Sequence, residues 1–374
     1  MRICCIFNSA PHYRREIYRK MEGAFDCSFV FGDSPVGSPD IGVIPPSEFR
    51  RARVVENSVV LRRPFYWQRG VLRELRGDFD AFILTGEPFC LSSWAFLLLA
   101  RARGKKTMLW THGWYGREGL AKRILKRAFF GLASGILLYG NYAKALMEKE
   151  GFNPDRMFVL HNSLAYERQL ALRGALAPDS VYRDRFGNSG RTLVFVGRLT
   201  PAKRLDLLLR AAAALRSRGL DFNVAIVGDG SERASLESLA QSLGLGGSVW
   251  FRGACFDEAE NARLIFNADM CVSPGNVGLT AVHSLMFGCP VATHDDFPNQ
   301  MPEFEAVVPG KTGVFFRRGD AESIADAVQK WFETCDARDE VRRACYAEVD
   351  SSWNPDFQIS VIKTAVARLA EAHE

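Results

Sequence analysis

A chain of 374 residues is longer than one hydrophobic core usually serves, so two domains are expected. With 47% hydrophobic and 24% charged residues the composition excludes a dominantly disordered chain. Nine scattered cysteines with no Cys-x-x-Cys spacing argue against a disulfide framework and for a reducing compartment. The net charge of +5 hides an asymmetry, because residues 1–168 hold 26 Lys+Arg against 16 Asp+Glu and the remainder 22 against 27. A basic first half predicts an anionic neighbour. With no nucleic-acid-binding module present, a membrane surface is preferred and no nucleic acid partner is expected.

Short apolar, β-branched runs alternate with helical patterns along the whole chain, which predicts parallel α/β architecture. In the first half the strands are expected at Ile3–Phe7, Cys27–Phe31, Ala81–Leu84, Lys106–Trp110, Gly135–Tyr139 and Met157–Leu160. Helices are expected at Tyr13–Met21, Phe89–Arg103, Leu120–Leu132 and Tyr142–Glu150. The Pro- and Gly-rich region Gly32–Arg63 reads as a long loop with short elements. Residues 169–190, polar with Pro178, Gly187 and Gly190, read as a linker. Strands follow at Thr192–Val196, Asn223–Val227, Val249–Arg252, Met270–Ser273 and Pro290–Thr293. The expected division is therefore 1–168, a linker at 169–190, a second domain at 191–350, and a C-terminal helix within 351–374 packing back on the first domain. Polar Asn8-Ser9 ends the first apolar run too early for a secretory h-region. The longest apolar stretch, Phe89–Ala100, is about 12 residues where a spanning helix needs ~20. A cytoplasmic location is expected.

Ligands of doubly wound sheets bind beyond the carboxyl ends of the strands, so the chemistry is sought in the loops there. After Thr192–Val196 comes Gly197-Arg198-Leu199-Thr200-Pro201-Ala202-Lys203-Arg204-Leu205. Two cations in a turn before a helix can neutralise a pyrophosphate without a metal, Arg as a fork and Lys as a point charge. They can equally be surface cations of a solvated turn. After Met270–Ser273 the loop Pro274-Gly275-Asn276-Val277-Gly278 opens a helix near Leu279, where the free amides of Leu279 and Thr280 would face an anion. The plain alternative is a strand–helix turn with a glycine hinge. A third segment, Glu303-Phe304-Glu305-Ala306-Val307-Val308-Pro309-Gly310-Lys311-Thr312-Gly313, places carboxylates in a turn-rich loop.

In order and spacing these three segments resemble the donor-binding domain of family 4 glycosyltransferases (glycosyl transferases group 1), over roughly residues 190–335. The resemblance implies the GT-B fold, two Rossmann-like doubly wound domains facing across a cleft. It implies a hexosyltransferase-type enzyme that moves a sugar, with retention, from a nucleoside diphosphate sugar to a glycan or lipid-linked acceptor. Assembly of a surface polysaccharide or lipopolysaccharide is the expected setting. No cofactor and no divalent metal are expected. Arg198 and Lys203 would clamp the diphosphate. Gly278, Leu279 and Thr280 would hold its second phosphate, and Gly197 and Gly228 would line the nucleotide site. The family usually carries two glutamates seven residues apart around the Gly-Leu entry, one for the donor sugar and one for the ribose. Here those positions are Gly275 and His283. His283 retains hydrogen-bonding capacity for a ribose hydroxyl. Glu305 ranks first among replacements for the missing carboxylate, with Glu303, Asp295 and Asp296 behind it.

In the first domain His112, in Trp110-Thr111-His112-Gly113, follows a strand where the family has a histidine near the reacting centre. A capping or core histidine is the alternative. His12, Tyr13 and Arg14 follow the first strand at the same edge and are candidate acceptor-side residues, although the family's Gly-rich turn is missing. Residues 119–130 carry cations at Lys122, Arg123, Lys126 and Arg127. They predict an amphipathic helix that is either core-packed with solvated cations or an interfacial contact with anionic lipid on the inner face of the cytoplasmic membrane. Asp78-Phe79-Asp80, the one Asp-x-Asp, precedes a strand, the wrong end for a metal site. Two other readings stay open: a non-catalytic sugar-nucleotide-binding protein, and a sugar-nucleotide epimerase of the same architecture.

Overall fold

A computed structural model describes residues 1–33, 42–60, 64–335 and 337–371, the side chain of residue 370 excepted. The chain divides into two compact units, Met1–Ala165 with Asn354–Glu374, and Tyr166–Trp353.

The first unit is built on a seven-stranded parallel sheet. Its strands are β1 (Arg2–Phe7), β2 (Asp26–Gly32), β3 (Ala52–Val55), β6 (Ala81–Thr85), β7 (Thr107–Thr111), β8 (Gly135–Leu138) and β9 (Met157–Val159), and β4 (Asn57–Val59) and β5 (Tyr66–Gln68) form a separate antiparallel pair. The order β3-β2-β1-β6-β7-β8-β9 reverses direction between β1 and β6. Both faces are covered, so the central strand reads as unbroken apolar sequence. Ile3, Cys5 and Phe7 face one core, with Ile17, Tyr18 and Met21 of the helix Arg15–Ala24. Cys4 and Ile6 face the other, with Phe96, Leu97, Phe129 and Phe130. The pair Cys4-Cys5 thus splits across the sheet; both thiols are free, and burial pushes both well above their ordinary value. The helix Pro355–Glu371 lays Ile359, Ile362, Ala365 and Val366 on the first of these cores, and Lys20 reaches Asp356 at 2.6 Å.

The second unit has six parallel strands: β10 (Thr192–Val196), β11 (Asn223–Val227), β12 (Val249–Gly253), β13 (Met270–Ser273), β14 (Val291–His294) and β15 (Gly313–Phe316). Their order, β12-β11-β10-β13-β14-β15, is the doubly wound arrangement with its switch point between β10 and β13.

The expected linker, 169–190, holds two helices instead, Tyr166–Ala175 and Val181–Phe186. Its polar composition misled because these helices fully bury only single residues, Gln169 and Tyr182, and leave the others partly or wholly exposed. Strands β3, β4, β5 and β15 were not foreseen. The first three fall in or beside the Gly32–Arg63 region, of which residues 34–41 and 61–63 lie outside the described residues.

Candidate functional site

In the second unit the expected donor residues gather at the carboxyl ends of β10 and β13, either side of the switch point. Arg198 directly follows Gly197, is exposed, and has no carboxylate partner among the described residues. The 3₁₀ turn Pro201–Lys203 brings Lys203 back to the β13 loop, where Nζ donates to the Asn276 carbonyl at 2.7 Å and to Asn276 Oδ1 at 3.1 Å. Two of its three protons are thereby spent on fixing its position, leaving one to give away. Burial draws the ammonium below its ordinary value; the Glu303 carboxylate works against this and the Arg198 charge adds to it.

The β13 loop is pinned from beneath. Buried Gln300 accepts from Val277 N at 2.9 Å and donates to Thr293 Oγ1 and the His294 carbonyl. Beyond it Thr280 Oγ1 donates to the Val196 carbonyl at 3.4 Å. The amides of Gly278, Leu279 and Thr280 make no hydrogen bond among the described residues, as expected at a helix start. Gly275 sits where the backbone leaves no space. Its N–H donates to the Lys203 carbonyl at 3.0 Å, and a Cβ would lie 2.0 Å from the Ala202 carbonyl oxygen. Gly228 is confined in the same way, since a Cβ would meet the Gly197 oxygen at 1.8 Å and its N–H is bound to the Gly253 carbonyl. It closes the strand ends together.

His283, on the helix Thr280–Met286, is half-buried, with Nε2 3.0 Å from Glu258 Oε1. The same oxygen accepts from buried Gln169 at 2.7 Å. Burial acts to raise the Glu258 carboxyl, but the hydrogen bonds and charge from His283 and the bond from Gln169 outweigh it, so it titrates low. Glu303 is buried and Glu305 half-buried in the turn Pro302–Ala306. Asp296 is held by Arg318 at 2.9 Å and Asn299 at 2.8 Å, which leaves it little to offer as a replacement carboxylate.

In the first unit a cavity of about 440 Å³ opens at its own switch point, over the ends of β1, β6, β7 and β8. Tyr13, Arg14 and His112 line it; His12 does not, being exposed with Nδ1 3.3 Å from the Gly42 carbonyl. The His112 ring packs against Tyr139 at 4.7 Å, and its Nδ1 is buried without a hydrogen-bond partner. Burial, then the charges of Arg14 and Lys126, lower its pKa to about 4, so it is neutral at physiological pH.

The helix Leu120–Leu132 departs from the expected basic face. Lys126 is buried, donating to the Gly113 carbonyl at 2.7 Å and to Glu118 Oε1 at 2.6 Å beneath the rings of Trp114 and Tyr115. Arg123 pairs with Glu150 at 2.8 Å, and Arg127 donates to the Glu150 carbonyl at 2.7 Å. Lys122 stays exposed, beside Leu120 and Ile124, which are 72% and 62% exposed. The spacing misassigned Lys126 because Glu118, seven residues past the end of β7, supplies a buried counter-charge that no helical pattern reveals. Asp78 and Asp80 bind Arg2, at 3.3 Å to its side chain and 2.7 Å to its amide, at the amino edge of the sheet. Sequence reasoning missed Asn276, Glu258, Gln169 and Gln300. All four act through other side chains or backbone and belong to no motif of their own.

Residues 183–347 match the family model described as Glycosyl transferases group 1. Alpha-D-kanosaminyltransferase of Streptomyces kanamyceticus is 28% identical over 162 residues, 42% of this chain and 40% of that protein. D-inositol 3-phosphate glycosyltransferase of Thermomonospora curvata is 36% identical over 168 residues, 40% of this chain and 38% of that protein. The chain thus spans about 40% of the length of these relatives. Among solved structures, Anabaena Alr3699/HepE in complex with UDP superposes with a TM-score of 0.73 at 15% identity, covering 98% of this chain and 100% of that one. At that identity the likeness shows the shared GT-B fold.

Proposed function

We propose, from the match of residues 183–347 to the group 1 glycosyl transferase family model, that the chain is a retaining, family 4 type glycosyltransferase. On this reading it transfers a sugar from a nucleoside diphosphate sugar to a glycan or lipid-linked acceptor in surface polysaccharide or lipopolysaccharide assembly. The observation that carries the reading is the convergence of unpaired Arg198, tethered Lys203 and the free amides of Gly278–Thr280 at the switch point of the second unit. This is an anion seat made of protein groups alone, and it requires no divalent ion. The UDP bound to Anabaena Alr3699/HepE is consistent with it.

In the proposed reaction the acceptor oxygen bonds to the anomeric carbon on the face from which the diphosphate departs. The carbon–oxygen bond to the diphosphate breaks with its electron pair, and the acceptor proton passes to a phosphate oxygen. Arg198 and Lys203 stabilise the charge that builds on the leaving group, an electrostatic contribution that grows toward the transition state. Neutral His112 offers a hydrogen bond to the donor sugar, and Tyr13 and Arg14 meet the acceptor. Glu305 and Glu303 stand in for sugar recognition. With Nε2 engaged by Glu258, His283 has its other ring nitrogen, Nδ1, for a ribose hydroxyl. Leu120 and Ile124, exposed on the helix Leu120–Leu132, support a peripheral contact with a lipid surface.

A second reading, nucleotide binding without transfer, draws on Gly275, whose surroundings admit no carboxylate. Release of nucleoside diphosphate from UDP-, GDP- and dTDP-sugars decides between the two. Donor-dependent release that falls at least ~10²-fold in Lys203→Ala supports transfer. Tight binding with no release supports the second reading, and release unchanged by Lys203→Ala refutes the first.

A further inference from the structure

We propose that the cavity of the first unit is a phosphate-recognition site, so that the acceptor enters carrying a phosphate held by Arg14. The inference rests on the reading of this unit as the acceptor side and names the class of acceptor it takes.

Arg14 is the unusual feature. Its guanidinium lies 5.0 Å from the ring centre of Trp110 and 5.3 Å from that of Tyr139, yet it has no carboxylate partner among the described residues. Several other arginines of this unit do carry a carboxylate partner: Arg15 with Glu48, Arg51 with Asp26, Arg53 with Glu74 and Arg123 with Glu150. Burial works against the Arg14 charge, but the interactions with Tyr18 and Tyr13 outweigh that, so Arg14 stays a cation with no carboxylate to neutralise it. Set beside two aromatic rings and within reach of the Tyr13 and Tyr18 hydroxyls, the guanidinium remains a planar donor suited to an oxyanion.

The neighbouring groups favour the same charge. Trp110 is 3% exposed and lines the cavity, and its indole N–H has no hydrogen-bond partner among the described residues. This is a buried donor, which an oxyanion would satisfy. Lys122 lines the cavity and is unpaired among the described residues. Lys126 also lines it but is neutralised by Glu118. The opposing charge is Glu87, which already accepts from Tyr66 Oη at 3.0 Å and Asn8 Nδ2 at 3.4 Å. The surplus is positive; burial is the main cause of the low His112 pKa, and the Arg14 charge adds to it. Tyr13, Tyr115, Phe89 and Tyr139 provide the aromatic walls against which the apolar faces of a sugar ring pack.

The test uses the full chain with histidines isotope-labelled; six histidines give a readable spectrum. UDP is held at saturation to fill the second unit's diphosphate seat, and its arrival is followed at His283. Glucose 1-phosphate is then titrated while His112 is observed, with glucose and acetate as separate arms. The proposal predicts a saturable His112 shift with glucose 1-phosphate and none with glucose at equal concentration. It predicts at least ~10-fold weaker binding in Arg14→Gln, a smaller loss in Arg14→Lys, and weakening in Lys122→Gln, which alters only an exposed side chain. It is overturned if His112 does not respond, if glucose or acetate does as well as glucose 1-phosphate, or if Arg14→Gln and Lys122→Gln both keep wild-type affinity. Should His112 respond while His283 ignores UDP, the donor-site reading fails and this one stands.

Discussion

Replacing Gly275 with alanine isolates the packing on which the diphosphate seat depends. The added Cβ would lie 2.0 Å from the Ala202 carbonyl oxygen and 2.8 Å from the Lys203 Cα. Ordinary contact begins near ~3.4 Å, so the 201–203 turn or the β13 loop must give by about 1.4 Å. Both are backbone, and both are tied to Lys203, through Gly275 N–H to its carbonyl at 3.0 Å and through its Nζ to Asn276 at 2.7 Å. Overpacking of this kind costs ~1–3 kcal/mol of stability. Displacing Lys203 by an ångström should also cost ~10²-fold in turnover. Urea unfolding and nucleoside diphosphate calorimetry measure the two effects. Gly23→Ala, on the helix Arg15–Ala24 with nothing within 4 Å of the new methyl, is the control and should be neutral or stabilising by up to ~1 kcal/mol. Gly275→Glu, which restores the family's usual residue, should do no better than Gly275→Ala. If Gly275→Ala matches Gly23→Ala in stability and keeps wild-type nucleotide affinity, the reasoning is refuted.

Other outcomes follow from the same contacts. Glu118→Leu leaves Lys126 buried without its counter-charge and should destabilise by ~3–5 kcal/mol in urea titrations, whereas Arg123→Ala, in a more exposed pair, should cost under ~1 kcal/mol. Glu258→Gln should weaken binding of a nucleoside diphosphate and erase its preference over the 2′,3′-dideoxy analogue, with melting temperature little changed; retained discrimination would rule out the His283 role. His112 and His161 both titrate near 4 in the folded chain against 6.5 when unfolded, burial being the main cause. Between these values the unfolded chain binds more protons, so stability should fall as pH drops from 6.5 towards 4, by up to ~1.4 kcal/mol per pH unit for each histidine. His161→Asn should flatten that slope by one histidine's share, and an unchanged slope would contradict it.

Alternation of apolar runs and helical patterns located eleven of the strands, because a parallel sheet covered on both faces must be apolar throughout. β15 escaped because Gly313–Phe316 is four residues long and follows a turn-rich loop. The diphosphate seat was legible for the reason that a strand, a turn with two cations and a helix start are contiguous in sequence. What was not legible depends on partners distant in the chain. Glu258 meets His283 across 25 positions, and Trp110 and Tyr139 seat Arg14 from two other strands. The fate of Lys126 was decided by Glu118, which lies outside the helix. Gly275 could be read as a lost carboxylate from sequence, but only the fold shows that the Ala202 carbonyl fills its place.

The central claim is that a diphosphate is held by Arg198, Lys203 and the Gly278–Thr280 amides without a divalent ion. Calorimetry of UDP and GDP in the presence of EDTA tests it most directly, on wild type and on Arg198→Ala with Lys203→Ala. The account predicts binding in EDTA for at least one nucleotide and a loss of ~10²-fold or more in the double variant. Binding that needs magnesium or manganese, or that survives removal of both cations, would contradict it.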